Sequence, residues 1–108
     1  MTDNLQPEAV LDITECTLQE VCQLGAFDEY FVIQCVEHGI ATVSGQQRVE
    51  WLFPAHSVLR IRKAWRLHRD LDVHLGSLAL LLELLEERDR LHQEVIELRQ
   101  RLRRWEQD

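Results

Sequence analysis

Residues 17–39 read TLQEVCQLGAFDEYFVIQCVEHG, and two short helices can be drawn through them. Thr17-Leu-Gln-Glu20 has the spacing of a capping box, in which the hydroxyl accepts from the N–H three residues on and the carboxylate reaches back. The first helix is expected to run to Leu24 and stop at Gly25 in a left-handed turn. Val21 and Leu24 should face the core, flanked by Leu18 or Cys22. Asp28 can cap a second helix. Phe27 before it and Val32 after it fit a hydrophobic staple. That helix should end near His38, with Gly39 as the next stop, and bury Val32, Cys35 and Val36 on one face. Two short helices joined by a glycine-containing turn form a helix-turn-helix outline.

Upstream, residues 1–9 show no periodicity and read as a flexible tail, while Val10, Leu11 and Ile13 suit a short strand or entry segment. Downstream, residues 40–53 read as a hairpin. Ile40 and Val43 precede the turn signal Ser44-Gly45-Gln46-Gln47, and Val49, Trp51 and Phe53 then alternate with Arg48, Glu50 and Leu52. A hairpin in this place is a wing. Pro54 suits the first turn of a helix that should reach about Asp70. Val58, Ile61, Trp65 and Ala64 form its apolar stripe, and Arg60, Arg62, Lys63, Arg66 and Arg69 lie on its outer face.

Asp70-Leu-Asp72-Val-His74 is a connection, with Asp72 able to cap the next helix. That long helix, from about Val73 to Trp105, carries the seam Leu81, Leu84, Arg88, Leu91, Val95, Leu98, Leu102, Trp105. The steps alternate between three and four residues, which is heptad spacing with one polar interruption at Arg88. Such a stripe cannot be buried by its own helix. Leu84, Leu91, Val95, Leu98 and Leu102 are therefore expected to pack on the head or to join two chains as a homodimer. The organisation is a tail (1–9), a winged helix-turn-helix head (10–70) and a long C-terminal helix (71–108).

The chain has 108 residues, 45% hydrophobic and 29% charged, ordinary for one small folded domain with a helical extension. No apolar run approaches the roughly 20 residues that span a bilayer, and residues 1–6 lack the basic start of a secretory signal. A cytoplasmic address without membrane association is expected. The three cysteines, Cys16, Cys22 and Cys35, are an odd set without Cys-x-x-Cys spacing, so reduced thiols rather than a disulfide framework are expected.

Charge is divided unevenly along the chain. The net charge is −7, yet residues 1–47 hold eight acids and no Lys or Arg, and all 12 bases lie beyond them. An acidic head repels phosphate backbones and attracts basic protein surfaces.

Catalysis has little to work with. Cys35 and His38 are zinc-type ligands three residues apart, but close cysteine pairs are missing and Cys35 is expected in the core, so no metal site or cofactor is assigned. Cysteine nucleophile chemistry lacks an orienting third group, and acidic surroundings raise a thiol pKa. There is no phosphate-cradling glycine loop and no His-Glu-x-x-His pattern. A non-enzymatic protein is expected.

Two binding readings compete for the second helix, whose outward face should be Glu29, Tyr30, Ile33, Gln34 and Glu37. A groove-reading helix needs Arg, Lys, Asn or Gln, and only Gln34 qualifies. Nucleic acid is thus disfavoured as a ligand, although a DNA-binding transcriptional regulator is the alternative that the layout and the basic helix favour. A protein interface takes the face as it stands. Tyr30 and Ile33 are apolar anchors between Glu29 and Glu37, and Glu20 and Asp28 add to the field. The bland alternative is that Tyr30 and Ile33 pack under the wing.

The order of capping-box helix, acidic helix ending Glu37-His38-Gly39-Ile40, Trp51-x-Phe53 strand, Ile61-Arg-Lys-Ala64-x-Arg66-Leu67 and tail ending Leu98-Arg-Gln-Arg-Leu102 resembles the CbpM family of chaperone modulators. The resemblance covers residues 10–105. It implies a mainly α fold: a MerR-like winged helix-turn-helix head with a small β-hairpin wing, followed by a long C-terminal helix. It also implies binding to the J-domain of a CbpA/DnaJ-type co-chaperone and inhibition of that co-chaperone. A J-domain offers a basic helix to its DnaK-type chaperone, which an acidic competitor would block.

Overall fold

The computed structural model describes residues 15–107; the expected tail at 1–9 and the entry segment at Val10, Leu11 and Ile13 lie outside them. The chain forms β1 (Glu15–Thr17), α1 (Leu18–Gly25), α2 (Glu29–Glu37), a 3-10 turn (Arg48–Glu50), β2 (Leu52–Pro54), α3 (Ala55–Leu71) and α4 (Leu75–Gln107). The fold is mainly helical, with a small antiparallel sheet and a long last helix, as the sequence implies.

Local signals account for the helix starts. The Thr17 hydroxyl accepts the Glu20 N–H at 3.2 Å, and a Glu20 carboxylate oxygen accepts the Thr17 N–H at 2.9 Å, so both halves of the capping box are made. Asp28 Oδ1 accepts the Tyr30 N–H at 3.3 Å and starts α2. His38 closes α2, followed by Gly39 at φ +74°.

The α1 stop differs from expectation. The left-handed residue is Ala26 (φ 53°), and Gly25 is the last helical residue. Glycine is needed at 25 for space: a Cβ there would lie 2.2 Å from the Phe27 ring. At the other connection Asp72 is also left-handed (φ 52°) and ends α3 instead of capping α4. His74 takes the capping role, its Nδ1 accepting the Gly76 N–H at 3.0 Å.

The expected hairpin is rearranged. β2 pairs antiparallel with β1, with Cys16 opposite Phe53, and the 40–43 segment forms no strand. A single bridge, Ser44 to Leu52, closes the wing loop. Val49, expected on the apolar strand face, sits in the 3-10 turn and is 88% exposed. Pairing β2 with β1 instead lets Cys16 and Phe53 bury opposite each other in the core.

The core lies where α1, α2 and α3 meet the sheet: Val21, Val32, Cys35, Ile40, Phe53, Val58 and Ile61 are all fully buried. Trp65 of α3 packs edge-to-face with Phe31 (centroids 4.9 Å apart) and Phe27 (6.1 Å). Edge-to-face packing of this kind adds about 0.5–1.5 kcal/mol to area burial. The loop after α2 is held by Ser57, a fully buried polar residue that donates to the Thr42 carbonyl at 2.8 Å and accepts the Thr42 N–H at 3.0 Å.

Only the start of α4 joins this core, through Leu78 and Leu82, with the Arg60–Glu86 ion pair (3.1 Å) beside them. Of the two packings expected for the seam, folding back on the head is not the one adopted. Leu84, Leu91, Val95, Leu98 and Leu102 are exposed, and Trp105 is 80% exposed. The helix keeps its shape there by its own pairs, such as Arg90 between Glu87 and Glu94.

Candidate functional site

The head's surface is built from the two capped helices. α1 buries Val21 and leaves Leu18 and Cys22 half-exposed on its outer side. The left-handed turn at Ala26 then brings the chain round so that Phe27 packs beneath α1 and Asp28 and Glu29 stand at its rim. The Arg48–Glu50 turn faces them. Together these pieces enclose an open groove of about 830 Å³. Leu18, Cys22 and the buried Phe27 supply its apolar floor, and the exposed Val49, Asp28, Glu29 and Arg48 its rim.

The electrostatics are one-sided. Among residues 15–47 the carboxylates are Glu15, Glu20, Asp28, Glu29 and Glu37, and Lys or Arg is absent. Arg48 lies 3.9 Å from Glu37 with both side chains exposed, a contact worth little net energy. The thiol of Cys22 registers the field. Burial pushes its pKa up first, and the Glu29 and Asp28 carboxylates push it further. Burial and then Glu20 raise Cys16 in the same sense, and burial alone pushes Cys35 up to about 12. Thiols of this kind are poor nucleophiles at neutral pH.

The six predicted binding residues fall into three groups. Asp28 and Glu29 line the groove. Glu20, Tyr30 and Glu37 are exposed but stand outside it, Tyr30 at 67%. The Glu20 carboxylate is occupied by the Thr17 N–H and hydroxyl, which hold its pKa down, and Glu37 accepts from Gln34 Nε2 at 3.2 Å. Ile33 is a correction: only 8% exposed, it is buried and cannot be a surface anchor beside Tyr30. Leu18, Cys22 and Val49 also line the groove and were not anticipated as surface residues. The alternation of Val49 with Trp51 and Phe53 pointed it to the core, and no local signal opposed that. Among the described residues no three His, Cys, Asp or Glu side chains converge as a metal set.

Comparison with known proteins places this geometry. A family described as MerR HTH family regulatory protein matches residues 16–100, which include nearly all of the described head and most of α4. The chain is 38% identical over 95 residues to the chaperone modulatory protein CbpM of Pseudomonas putida strain W619, covering 88% of this chain and 94% of that protein. It belongs to the CbpM family, within the MerR-type helix-turn-helix proteins.

Other CbpM proteins are similar along the same extent. That of Pseudomonas entomophila is 37% identical over 95 residues, again covering 88% of this chain and 94% of that protein. The Citrobacter koseri protein is 34% identical over 89 residues, covering 82% of this chain and 88% of its own length. CbpM proteins are named as chaperone modulators, and that naming points to a regulator that acts without catalysis. No helix among the described residues is long and apolar enough to cross a membrane.

Proposed function

We propose that this CbpM-family chain is a stoichiometric inhibitor of a CbpA/DnaJ-type co-chaperone, binding its J-domain and blocking access to the DnaK-type chaperone. The observation that carries this reading is the base-free head: five carboxylates and no Lys or Arg between residues 15 and 47. A basic helix is the natural complement, and opposed charge fields speed and orient docking. Occlusion needs no turnover and no cofactor. The mechanism is competition for one surface of the co-chaperone, in the cytoplasm where such chaperones work.

The rival is a DNA-binding transcriptional regulator, favoured by the MerR-type match and by the basic face of α3. Against it stands α2, which would enter the major groove. Its exposed residues Glu29, Tyr30 and Glu37 include two carboxylates and no base. Phosphate contacts from Arg and Lys dominate duplex affinity, and this helix has none to offer.

The same proposal includes a homodimer joined along α4. The seam is symmetric about Gln93: Leu81 and Trp105, Leu84 and Leu102, Arg88 and Leu98, Leu91 and Val95 lie at equal distances from it. Antiparallel pairing about that point matches apolar residues and sets each Arg88 against Leu98. Parallel pairing would press Arg88 against Arg88 in the interface, a buried like-charge contact.

The test is a titration of purified J-domain with the full chain, read by calorimetry and by J-domain stimulation of the DnaK-type ATPase. Binding with matching loss of stimulation is expected. Absence of J-domain binding, or a sequence-selective shift of duplex DNA at physiological salt, would remove the reading.

A further inference from the structure

The groove beside α1 has a shape and polarity that a flat acidic face does not. Its floor is apolar, made by Leu18, Cys22 and the buried ring of Phe27, and its lip is Val49, the most exposed large aliphatic side chain in the head. An aliphatic residue held in water on a hydrogen-bonded turn gains nothing for the fold. Glu50 N–H donates to the Gln47 carbonyl at 2.8 Å, Trp51 N–H to the Arg48 carbonyl at 3.2 Å, and the Ser44–Leu52 bridge closes the loop behind them. Val49 is therefore presented by a braced turn. Asp28 and Glu29 line the same groove, and Asp28 is held there by the Tyr30 N–H that its Oδ1 accepts at 3.3 Å.

From this arrangement we infer that the groove is a docking site for a basic amphipathic helix, which seats an aliphatic side chain between Leu18 and Val49 and lays its Lys or Arg residues over Asp28 and Glu29. The inference rests on the reading that the head binds a basic co-chaperone surface. It moves the centre of that contact from the outward face of α2 to the α1 side. Helix-in-groove recognition uses an apolar anchor for affinity and flanking charges for register. The groove is lined by both kinds of residue. Its charge disfavours a nucleic-acid occupant, since among the described residues that line it two are acids and one, Arg48, is a base. The raised pKa of Cys22, to which Glu29 and Asp28 both contribute, agrees with a negative field at the floor.

Cys22 supplies the test. It is half-exposed in the groove while Cys16 and Cys35 are buried, so it is the thiol that a small reagent reaches in the native chain. In the free protein a cationic methanethiosulfonate should modify Cys22 several-fold faster than an anionic one at low salt, and Cys22→Ser should abolish the fast phase. Saturating J-domain should slow that modification at least ten-fold. Val49→Arg should lower J-domain affinity at least ten-fold with an unchanged melting curve, and Tyr30→Ala should change it less than three-fold.

J-domain that binds normally while Cys22 stays fully reactive and Val49→Arg binds like the wild type would overturn the groove and leave the acidic-head reading standing. Failure of J-domain to bind at all would overturn that reading and the groove with it. Protection of Cys22 by a DNA duplex, or by raising the concentration of the chain alone, would assign the groove to another occupant and overturn the inference.

Discussion

The ring of Phe27 lies over the α-carbon of Gly25, so close that a Cβ at position 25 would fall 2.2 Å from Cε2 and Cζ. The same ring reaches Trp65 on one side and floors the groove on the other. Gly25→Ala should therefore shift a buried ring and cost about 1–3 kcal/mol, as overpacking does. Ala26→Gly, one residue on, should act oppositely. Ala26 holds φ 53°, and relieving a left-handed Cβ is worth about 1 kcal/mol. Urea unfolding midpoints of the two variants, moving in opposite directions, check both statements.

Ser57 should be the most sensitive polar residue of the head. Its hydroxyl both donates to and accepts from the Thr42 backbone, and it is fully buried. Ser57→Ala leaves the two Thr42 groups without that partner and should cost about 1–3 kcal/mol. Denaturant titration measures it, and a loss below a few tenths would show that water replaces the hydroxyl.

Reversing two exposed carboxylates of α2 should weaken the proposed complex. For Glu29→Lys together with Glu37→Lys, J-domain affinity should fall roughly ten-fold at low salt, and the dependence of affinity on salt should flatten. Calorimetric titrations at two salt concentrations read both. Unchanged affinity would mean that these carboxylates are not at the interface.

The seam makes a separable prediction. Leu91→Asp or Leu98→Asp places a carboxylate in the proposed helix pair, and the variants should sediment as monomers. Both residues are exposed in the single chain, so the head's own unfolding transition should persist. A wild-type chain that sediments as a monomer at all concentrations would end the dimer proposal.

Burial raises the Cys35 thiol from 9.0 to about 12. A group whose folded pKa lies above its unfolded value contributes stability that is complete below the unfolded pKa and is lost as pH rises toward the folded one. The window here runs from pH 9 to about 12. Cys35→Ala lacks this titration. The stability gap between wild type and variant should therefore shrink by roughly 2 kcal/mol between pH 8 and pH 10.5, at about 1.4 kcal/mol per unit above pH 9. Unfolding curves of both proteins across that range check it.

Sequence alone made legible whatever neighbours in the chain decide. Thr17 and Glu20, or Asp28 and Tyr30, find each other within one turn, so the helix starts could be read. The pairing of β1 with β2 joins residues 35 to 39 positions apart, from Thr17–Leu52 to Glu15–Pro54, and no local signal names that partner. The same holds for Ile33 and Val49. Helical geometry put Ile33 outside, but tertiary packing covers that flank of α2 and buries it. Alternation put Val49 inside, but the strand begins only at Leu52. The groove was hidden for this reason: its lip is a residue whose pattern said core. The heptad seam was legible as a stripe, whereas its exposure depends on where the head stops, which is set by Leu78 and Leu82.

The length of α4 beyond the head sets a spacing. In the proposed pair, Leu82 of one chain and Leu82 of the other stand 22 residues apart along the shared axis, about 33 Å at 1.5 Å per residue. Two grooves held at a fixed separation by a stiff rod act as a bivalent clamp. A co-chaperone that is itself two-headed would meet the second groove at a high effective concentration once the first was filled, and would leave far more slowly than a single isolated J-domain.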